Sequence, residues 1–439
     1  MSLLYIGILG VIIFVVLVFL KVPIALAMAS VGFFGYSYIV SIKAASRMLA
    51  ADLFATFSSY SLSVIPMFVL MGLFAYYAGI GNKLFAFAYN VVGRLPGSLA
   101  MASQVACTIF GALCGSSTAT AATIGSVAIP EMKKYNYDSS LAAGCIAAGG
   151  AIGVMIPPSI IFILYGIAAE QSIAKLFLAG ILPGILLMLA YIVTIWIVCK
   201  RNPALAPLAE DVHISLKDKL MPLKGVIIQV IFVFIVSLGG LFAGWFTPTE
   251  AGGIGAAGVL IVTLIDRSMN WKKFVESLKE TTSMVAMIML LVAGATIFGR
   301  FMTISQIPNA IVEWISSLPL PPFLVMLVVL LIYLVLGMFI EAIPLILLSV
   351  PIFYPLVVGQ LGYDPIWFGV MIVMVAALGV ISPPVGINVY VVSNIAKDIP
   401  LDKIFSGVIP FLAAAVVCCI ILTIFPWIAT FLPSILIKG

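Results

Sequence analysis

Two breaks in otherwise apolar sequence hold the residues whose types and spacing best fit a binding site. The first break is Gly115-Ser116-Ser117-Thr118, and the second runs over residues 153–159 and contains Pro157-Pro158. Backbone without helical hydrogen bonds is costly at membrane depth unless it is buried in protein or lines a wet cavity. Proline also leaves a carbonyl of the preceding turn without its usual partner. We therefore expect the two breaks to face each other and to present oxygen atoms to a ligand.

The second half of the chain repeats this pattern. Tyr137-Asp138 recurs as Tyr363-Asp364, and Pro157-Pro158 recurs as Pro383-Pro384, each 226 positions later (137 to 363, 157 to 383). Residues 337–342 separate two short apolar limbs there, and residues 379–384 interrupt the next helix. Paired broken helices in two halves of one chain are typical of transporter binding sites. The alternative is that these residues are only kinks and close-packing glycines, since small residues line helix contacts in membranes.

Oxygen-rich breaks of this kind suit a hard cation. Unwound carbonyls and hydroxyls bind Na⁺, half-helix N-termini favour anions, and a set of oxygen ligands does not favour a transition metal. We predict two pseudo-equivalent Na⁺ sites. The first is formed by Gly115, Ser116, Ser117, Gly153, Ile156 and Pro158, and the second by Gly337, Glu341, Ala342, Gly379, Ser382 and Pro384. Glu341 fits three roles, as a cation ligand, a proton carrier or a helix cap.

A second group of residues is predicted to contact the transported molecule: Arg300, Ser159, Pro157, Pro383 and Asn388. Arg300 ends an apolar run, where it would either bind a carboxylate with two hydrogen bonds or extend to a lipid headgroup. Ser159 and Asn388 follow the two proline pairs and would face the cavity. Helix capping or packing is the alternative for both.

Composition places these residues in a membrane. Of 439 residues, 64% are hydrophobic and 8% are charged, whereas soluble domains have roughly 25% charged residues. This length allows about a dozen spans of ~20 residues. The net charge of +5 is too small and too scattered for nucleic acid, and the six cysteines lack metal-ligand spacing. The single histidine, His213, lies in a polar stretch, so we do not expect an enzyme.

The predicted fold is an all-α polytopic membrane protein with two inverted repeats, each containing a re-entrant hairpin and a broken helix. Residues 1–205 form the first repeat, with scaffold helices, a hairpin at about 97–131 and a broken helix at 139–170. Residues 206–224 form a polar cytoplasmic linker. Residues 225–439 form the second repeat, with a hairpin at about 321–358 and a broken helix at 365–396.

Loop charges give the predicted orientation of the two hairpins. Arg94, Lys133 and Lys134 flank the first hairpin, whereas residues 315–322 and 359–365 around the second contain no Lys or Arg. Cytoplasmic loops carry an excess of Lys and Arg. The first hairpin is therefore expected to open from the cytoplasm and the second from outside, which makes the repeats inverted.

Several of these motifs resemble those of a known family. Residues 115–125, 148–159 and 246–251 are similar to the large membrane (M) subunit of tripartite ATP-independent periplasmic (TRAP) transporters, and the resemblance covers nearly the whole chain. It implies secondary transport driven by a Na⁺ gradient, without ATP and without an organic cofactor. It also implies an elevator mechanism, in which both hairpins and both broken helices carry substrate against a scaffold of outer helices.

The same resemblance implies the partners and the location. Such proteins work in the bacterial inner membrane with a small membrane (Q) subunit and a periplasmic substrate-binding (P) protein. The two repeats use up these 439 residues, so we expect no fused Q subunit, and residues 53–79 and 404–432 are candidate outer helices for contacting it.

The substrate is expected to be a carboxylate. Residues 297–303 resemble sialic-acid members of the family more than C4-dicarboxylate members, which favours N-acetylneuraminate. A C4-dicarboxylate or another organic acid is the alternative substrate. A carboxylate symporter that acts alone with Na⁺ or H⁺ is the alternative transporter. Glu341 stands where many relatives have Asp.

Overall fold

The computed structural model describes residues 2–92, 95–207, 226–317 and 320–437, and every regular element in them is a helix. Most of the predicted linker, including His213, lies outside these ranges, as does Arg94.

The chain begins with outer helices. These are α1 (Leu3–Phe19), α2 (Ile24–Ile39), α3 (Ile42–Phe57), α4 (Val64–Tyr77) and α5 (Ile80–Val92), with a 3₁₀ turn at Tyr60–Ser63. The prediction of one continuous segment over 53–79 is wrong. The Ser58 and Ser63 hydroxyls donate to the carbonyls of Phe54 and Tyr60, both at 2.6 Å, and such local bonds compete with helix continuation.

The first hairpin and the first broken helix follow. The hairpin consists of α6 (Ser98–Cys114) and α7 (Ser117–Lys134), the broken helix of α8 (Ser139–Ile152) and α9 (Ile160–Ala168), and α10 (Ile173–Arg201) comes next. The side chains of Ser116, Asp138, Ser159 and Ser172 accept backbone N–H groups at the starts of α7 to α10. Each break is therefore followed by an N-cap that restarts the helix.

The second half opens with α11 (Val226–Phe242), α12 (Pro248–Ile265), α13 (Trp271–Ile304) and α14 (Ile307–Ser317). The second hairpin consists of α15 (Pro322–Gly337) and α16 (Ala342–Tyr354), which continues as a π-helical turn at Pro355–Gln360. The second broken helix consists of α17 (Pro365–Gly379) and α18 (Ile387–Ile395), and α19 (Leu401–Ile424) and α20 (Trp427–Leu436) complete the described chain.

One segment of the second half differs from its predicted bounds. The predicted span 404–432 is two helices, because Phe425 leaves the helical conformation before Pro426, as a residue preceding proline is biased to do. Helix α13 starts at Trp271 under the cap of Asn270.

Helices α6 to α10 and α15 to α19 have the same order, and both Pro-Pro peptide bonds are cis. The centre of the molecule is formed by α8 and α17, which are buried on all sides over residues 141–152 and 366–379. Helices that are apolar all round belong to such interiors.

Six segments within the described residues are long and apolar enough to cross a membrane: Tyr60–Tyr77, Ile173–Arg201, Pro248–Ile265, Trp271–Ile304, Ala342–Gln360 and Leu401–Ile424. The limbs α6 and α15 are apolar but shorter than this. The architecture is that of a polytopic membrane protein whose two breaks per half lie against its buried centre.

Candidate functional site

The tip of the first hairpin rests directly on the break at residues 153–159 in the first broken helix. Gly115 has a φ of 60°, in the left-handed region, and a Cβ there would lie 2.5 Å from the Pro158 carbonyl oxygen. A Cβ on Gly153 would lie 2.7 Å from the Thr120 hydroxyl oxygen. Glycine is required where backbone approaches this closely. The structure thus brings together Gly115, Gly153 and Pro158, three of the residues predicted for the first Na⁺ site.

Ser116 is the centre of a small polar cluster at this tip. Its Oγ accepts from the Ala119 N–H at 3.4 Å, and its carbonyl accepts from the Thr120 hydroxyl at 2.7 Å. The Thr120 hydroxyl also lies 3.1 Å from Cys114 Sγ. Thr120 was not among the predicted site residues. Its spacing of four from Ser116 is the signal that would have found it, since residues four apart share one helix face.

Ser117 points the other way, into the protein. Its Oγ lies 2.7 Å from Asn388 Nδ2 and 3.0 Å from Asn388 Oδ1, and Nδ2 also donates to the Ala147 carbonyl at 2.9 Å. Asn388 is fully buried. Ile156, the remaining residue predicted for the first site, packs its side chain against Gly184 of α10.

The second hairpin also makes a close backbone contact with its broken helix, and the prolines of that break are less buried. A Cβ on Gly379 would lie 2.5 Å from the carbonyl carbon of Gly337. The Ser382 hydroxyl donates to the Leu378 carbonyl at 2.7 Å, within its own turn. Pro383 and Pro384 are exposed, whereas Pro157 and Pro158 are buried. The structure thus brings Gly337 and Gly379 together, with Ser382 in the turn that follows Gly379.

Glu341 begins α16 and its side chain makes no capping hydrogen bond. The residue is exposed and lines the cavity described next, with Ala342 beside it. Of the three roles open to Glu341, the geometry therefore does not support that of a helix cap.

One cavity of about 180 Å³, partly open to the outside, lies between the two hairpin tips. The first residues of four helices line it: Ser117 and Thr118 of α7, Ile160 and Ile161 of α9, Ala342 and Ile343 of α16, and Ile387 of α18. Gly115, Ser116 and Glu341 complete its polar wall, and Met284, Met287 and Ile288 of α13 form an apolar one. We call it the central cavity. No Lys or Arg is among the described residues that line it.

A second cavity borders the same tip on its outer side. It lies between α4, α13 and the first hairpin, and it shares Ser116, Thr118, Ile160 and Met284 with the central cavity. Cys114 and Glu280 also line it, and the Glu280 carboxylate accepts from the Tyr77 hydroxyl at 2.8 Å.

The five residues predicted to contact substrate do not line the central cavity. Arg300 pairs with Asp52 of α3 through two contacts of 3.2 and 3.3 Å. It lies twelve residues beyond Ile288, about 18 Å farther along α13 at 1.5 Å per residue. Ser159 is fully buried and accepts from the Phe162 N–H at 3.4 Å, so it caps α9. Pro157 and Pro383 lie in the breaks, and Asn388 lies in the first turn of α18.

Each hairpin is interlocked with the broken helix of the other half. Helix α7 packs beside α18: Ser117 meets Asn388 at their starts, and Lys133 pairs with Asp398 at 2.6 Å near their ends. Helix α9 packs beside α16. There, Gln171 follows the end of α9 and Tyr354 is the last residue of α16. Gln171 Nε2 donates to the Tyr354 hydroxyl at 3.0 Å.

Comparison with known proteins gives a family for this arrangement. The model of the family described as "Tripartite ATP-independent periplasmic transporter, DctM component" matches residues 11–428. The chain is 37% identical to the C4-dicarboxylate TRAP transporter large permease protein DctM of Pseudomonas aeruginosa, covering 88% of this chain and 90% of that protein. It is 33% identical to the sialic acid TRAP transporter large permease protein SiaM of Vibrio cholerae, covering 88% and 89%.

A solved structure shares the fold. The crystal structure of the Alcanivorax borkumensis YdaH transporter superposes with a TM-score of 0.62 at 13% identity, covering 88% of this chain and 90% of that one.

Proposed function

The chain belongs to the DctM component family of the tripartite ATP-independent periplasmic transporters, and on that premise we propose that it carries an organic acid anion inward together with Na⁺. The anion occupies the central cavity, and Na⁺ binds at the two tip-and-break contacts. The chain acts as the large permease and performs no chemistry on its cargo.

Four helix N-termini on one cavity are the observation that carries this proposal. Free N–H groups and the helix dipole give each N-terminus a partial positive charge that attracts anions. Transporters use half-helix N-termini in this way for substrate carboxylates. The absence of Lys and Arg among the described lining residues leaves these termini as the main attraction for an anion.

The same cavity supports the proposed requirement for a cation. One helix terminus contributes about 0.3–1 kcal/mol to anion binding at exposed sites, and the carboxylate of Glu341 on the cavity wall opposes a second negative charge. A bound Na⁺ at either tip offsets that repulsion and holds the tip oxygens in place. Anion binding is therefore strengthened by Na⁺, which is the thermodynamic requirement for coupled transport.

The proposed Na⁺ ligands are the oxygens at the two tips. At the first tip these come from Gly115, Ser116, Gly153 and Pro158, with the Thr120 hydroxyl as an addition from the structure. At the second tip they come from Gly337, Glu341, Ala342, Gly379 and Ser382, and the exposed Pro384 remains a predicted neighbour.

The candidate cargo acids are N-acetylneuraminate, a C4-dicarboxylate and other organic acids. N-acetylneuraminate is favoured by the resemblance of residues 297–303, and a C4-dicarboxylate is the alternative, since named relatives of both kinds match the chain. Residues 297–303 do not line the central cavity, so both acids belong in any uptake test.

We further propose inverted repeats and an elevator movement. The matching helix order and the reciprocal interlocking of α7 with α18 and of α9 with α16 support a two-fold arrangement. Interlocked hairpins and broken helices would move as one body, while α13 packs against α2 and α4 as part of a separate scaffold. The proposed partners are a Q subunit and a periplasmic binding protein in the bacterial inner membrane.

The test is uptake into proteoliposomes containing the chain and its Q subunit. N-acetylneuraminate, a C4-dicarboxylate and other acids are offered with and without Na⁺ and with and without the binding protein. The proposal expects uptake of one acid that requires both Na⁺ and the binding protein. Uptake indifferent to Na⁺, or proton-driven uptake that Glu341→Gln abolishes, supports the proton-coupled alternative. Uptake without the binding protein supports a symporter that acts alone.

A further inference from the structure

Asn388 joins three helices through one buried amide. It lies in the first turn of α18 and is fully buried. Its side chain contacts the Ser117 hydroxyl at the start of α7 and the Ala147 carbonyl in the middle of α8. A buried amide is expensive to leave unpaired, and here both ends of the amide are engaged within the protein.

The amide network has no counterpart in the other half of the chain. Shifted by the 226-residue offset, Asn388 corresponds to Phe162 and Ser117 to Ile343, whose apolar side chains cannot form this hydrogen bond. The network is therefore not a requirement of the repeated fold. It belongs to the first hairpin tip alone.

Gly150 packs against the amide so closely that no side chain would fit there. A Cβ on Gly150 would lie 2.9 Å from Asn388 Nδ2 and 2.8 Å from the Ser117 carbonyl oxygen. Asn388 is thus held between α7 and α8, and it fixes the residue next to Ser116. On its other side Asn388 is joined to Ile387, which lines the central cavity.

We propose that Asn388 is a positioning residue for the first Na⁺ site and links that site to the central cavity. Its amide fixes the start of α7, and so holds Ser116 and Gly115 against the break at Gly153 and Pro158. When Na⁺ orders this tip, the same amide orders the start of α18 and the cavity wall at Ile387. This inference rests on the proposed Na⁺ coupling.

Two measurements on the complete transporter test it, using Asn388→Ala, Ser117→Ala and the double variant. Ser103→Ala is the matched control, because Ser103 is a fully buried serine of the same hairpin whose hydroxyl bonds only within α6, to Leu99 at 2.8 Å. The first measurement is the rate at which N-ethylmaleimide labels Cys114, quantified on its peptide by mass spectrometry. Cys114 is partly exposed at the tip and lines the outer cavity.

We expect Asn388→Ala and Ser117→Ala to speed Cys114 labelling at least about five-fold, with Ser103→Ala at the wild-type rate. The second measurement is the Na⁺ concentration for half-maximal uptake. It should rise about ten-fold in Asn388→Ala, which corresponds to about 1.4 kcal/mol, within the range for losing a buried hydrogen bond. The apparent affinity for the acid at saturating Na⁺ should stay near that of the wild type. The double variant should be no worse than Asn388→Ala.

The two measurements test the tip-positioning role and the Na⁺ coupling independently. If Cys114 labelling is unchanged in both single variants, Asn388 does not hold the tip and the inference is overturned, whatever the ion dependence. If wild-type uptake ignores Na⁺ while labelling rises, the proposed coupling fails and the tip-positioning role stands. If Asn388→Ala lowers only thermal stability, with both readouts at the wild-type value, Asn388 is a packing residue.

Discussion

Gly337 and Gly379 touch through their backbones, so that the first limb of the second hairpin rests on the second broken helix without a side chain between them. Gly111 and Gly153 make the same contact in the first half, at the same 226-residue offset. Glycine permits this approach because it has no Cβ. The contact sets the distance at which each tip meets its break.

The two glycines of this pair should tolerate substitution unequally. A Cβ on Gly379 would lie 2.5 Å from the Gly337 carbonyl carbon, whereas a Cβ on Gly337 would lie 3.3 Å from Gly379 Cα. Gly379→Ala therefore forces two helices apart, and we expect it to destabilise the protein by roughly 1–3 kcal/mol, as overpacking does. Gly337→Ala needs only a small shift and should cost clearly less.

Thermal unfolding in detergent measures this difference. Gly253→Ala is the control, because Gly253 lies in α12 and a Cβ there meets no atom within 4 Å. Its melting temperature should match or exceed that of the wild type, since alanine favours a helix. Equal losses for Gly337→Ala and Gly379→Ala would contradict the geometry.

The salt bridge between Lys133 and Asp398 should link the first hairpin to the segment after α18, and its contribution to stability should depend on pH. The hydrogen bond from Lys133 lowers the pKa of Asp398 below its ordinary value of 3.8. A carboxyl with a lowered pKa contributes stability above its ordinary pKa, and that contribution is lost as pH falls through the lowered value. At neutral pH we expect Asp398→Asn and Lys133→Met to reduce stability slightly and to the same extent.

Melting curves at pH 7 and near pH 3 check this prediction. The difference between wild type and Asp398→Asn should shrink at the lower pH, because protonation of the wild-type carboxyl removes the charge that pairs with Lys133. Because the pair is exposed, the difference should also shrink in high salt. A difference that changes with neither pH nor salt would mean that Asp398 acts through packing and not through its charge.

Arg300 should contribute to the stability of the protein and not to binding of the transported acid. Its partner Asp52 is 8% exposed, whereas Arg300 is 61% exposed. Arg300→Ala therefore leaves a buried carboxylate unpaired and should destabilise by about 1–3 kcal/mol, while Asp52→Asn leaves only an exposed cation. We expect the double variant to recover most of the loss, and the half-saturating acid concentration to stay unchanged throughout.

Uptake kinetics and melting of the four proteins separate the two roles open to Arg300. If Arg300→Ala raises the half-saturating concentration of the acid by about ten-fold at an unchanged melting temperature, Arg300 reaches the substrate in another conformation. That result would restore the substrate role that its sequence position predicted.

The sequence was sufficient to locate the breaks, because Gly, Ser and Pro interrupt helices by local chemistry. Gly115, Gly153, Gly337 and Gly379 therefore met at the predicted contacts. Local chemistry also explains the error over 53–79, where serine hydroxyls interrupt the helix although most of the segment is apolar.

The contacts of Asn388 and Arg300 were beyond the sequence for a different reason. Their partners, Ser117 and Asp52, lie 271 and 248 positions away, and only tertiary packing decides such pairings. Arg300 is predicted to contact substrate because it ends an apolar run, and Asn388 because it follows a proline pair. In the structure the hydrogen-bond partners of both side chains lie within the protein.

Glu341 should set the cation dependence of transport. It is the one ionisable side chain among the described residues that line the central cavity, and it makes no capping bond. The negatively charged carboxylate of Glu341 would bind Na⁺ directly. Glu341→Gln should therefore raise the Na⁺ concentration for half-maximal uptake by about ten-fold or more. Glu341→Asp keeps the charge with a shorter reach and should show a smaller increase.

Glu280→Gln provides the comparison for Glu341→Gln, since Glu280 lines the outer cavity and bonds to Tyr77. It should leave the Na⁺ dependence within about two-fold of the wild type. Uptake by Glu341→Gln at several external pH values then separates ligand from proton carrier. A ligand role predicts that saturating Na⁺ restores uptake at every pH. If uptake stays lost at saturating Na⁺ and the wild type follows a proton gradient, Glu341 carries protons, because neutralising a carrier removes the transported charge itself and no Na⁺ concentration replaces it.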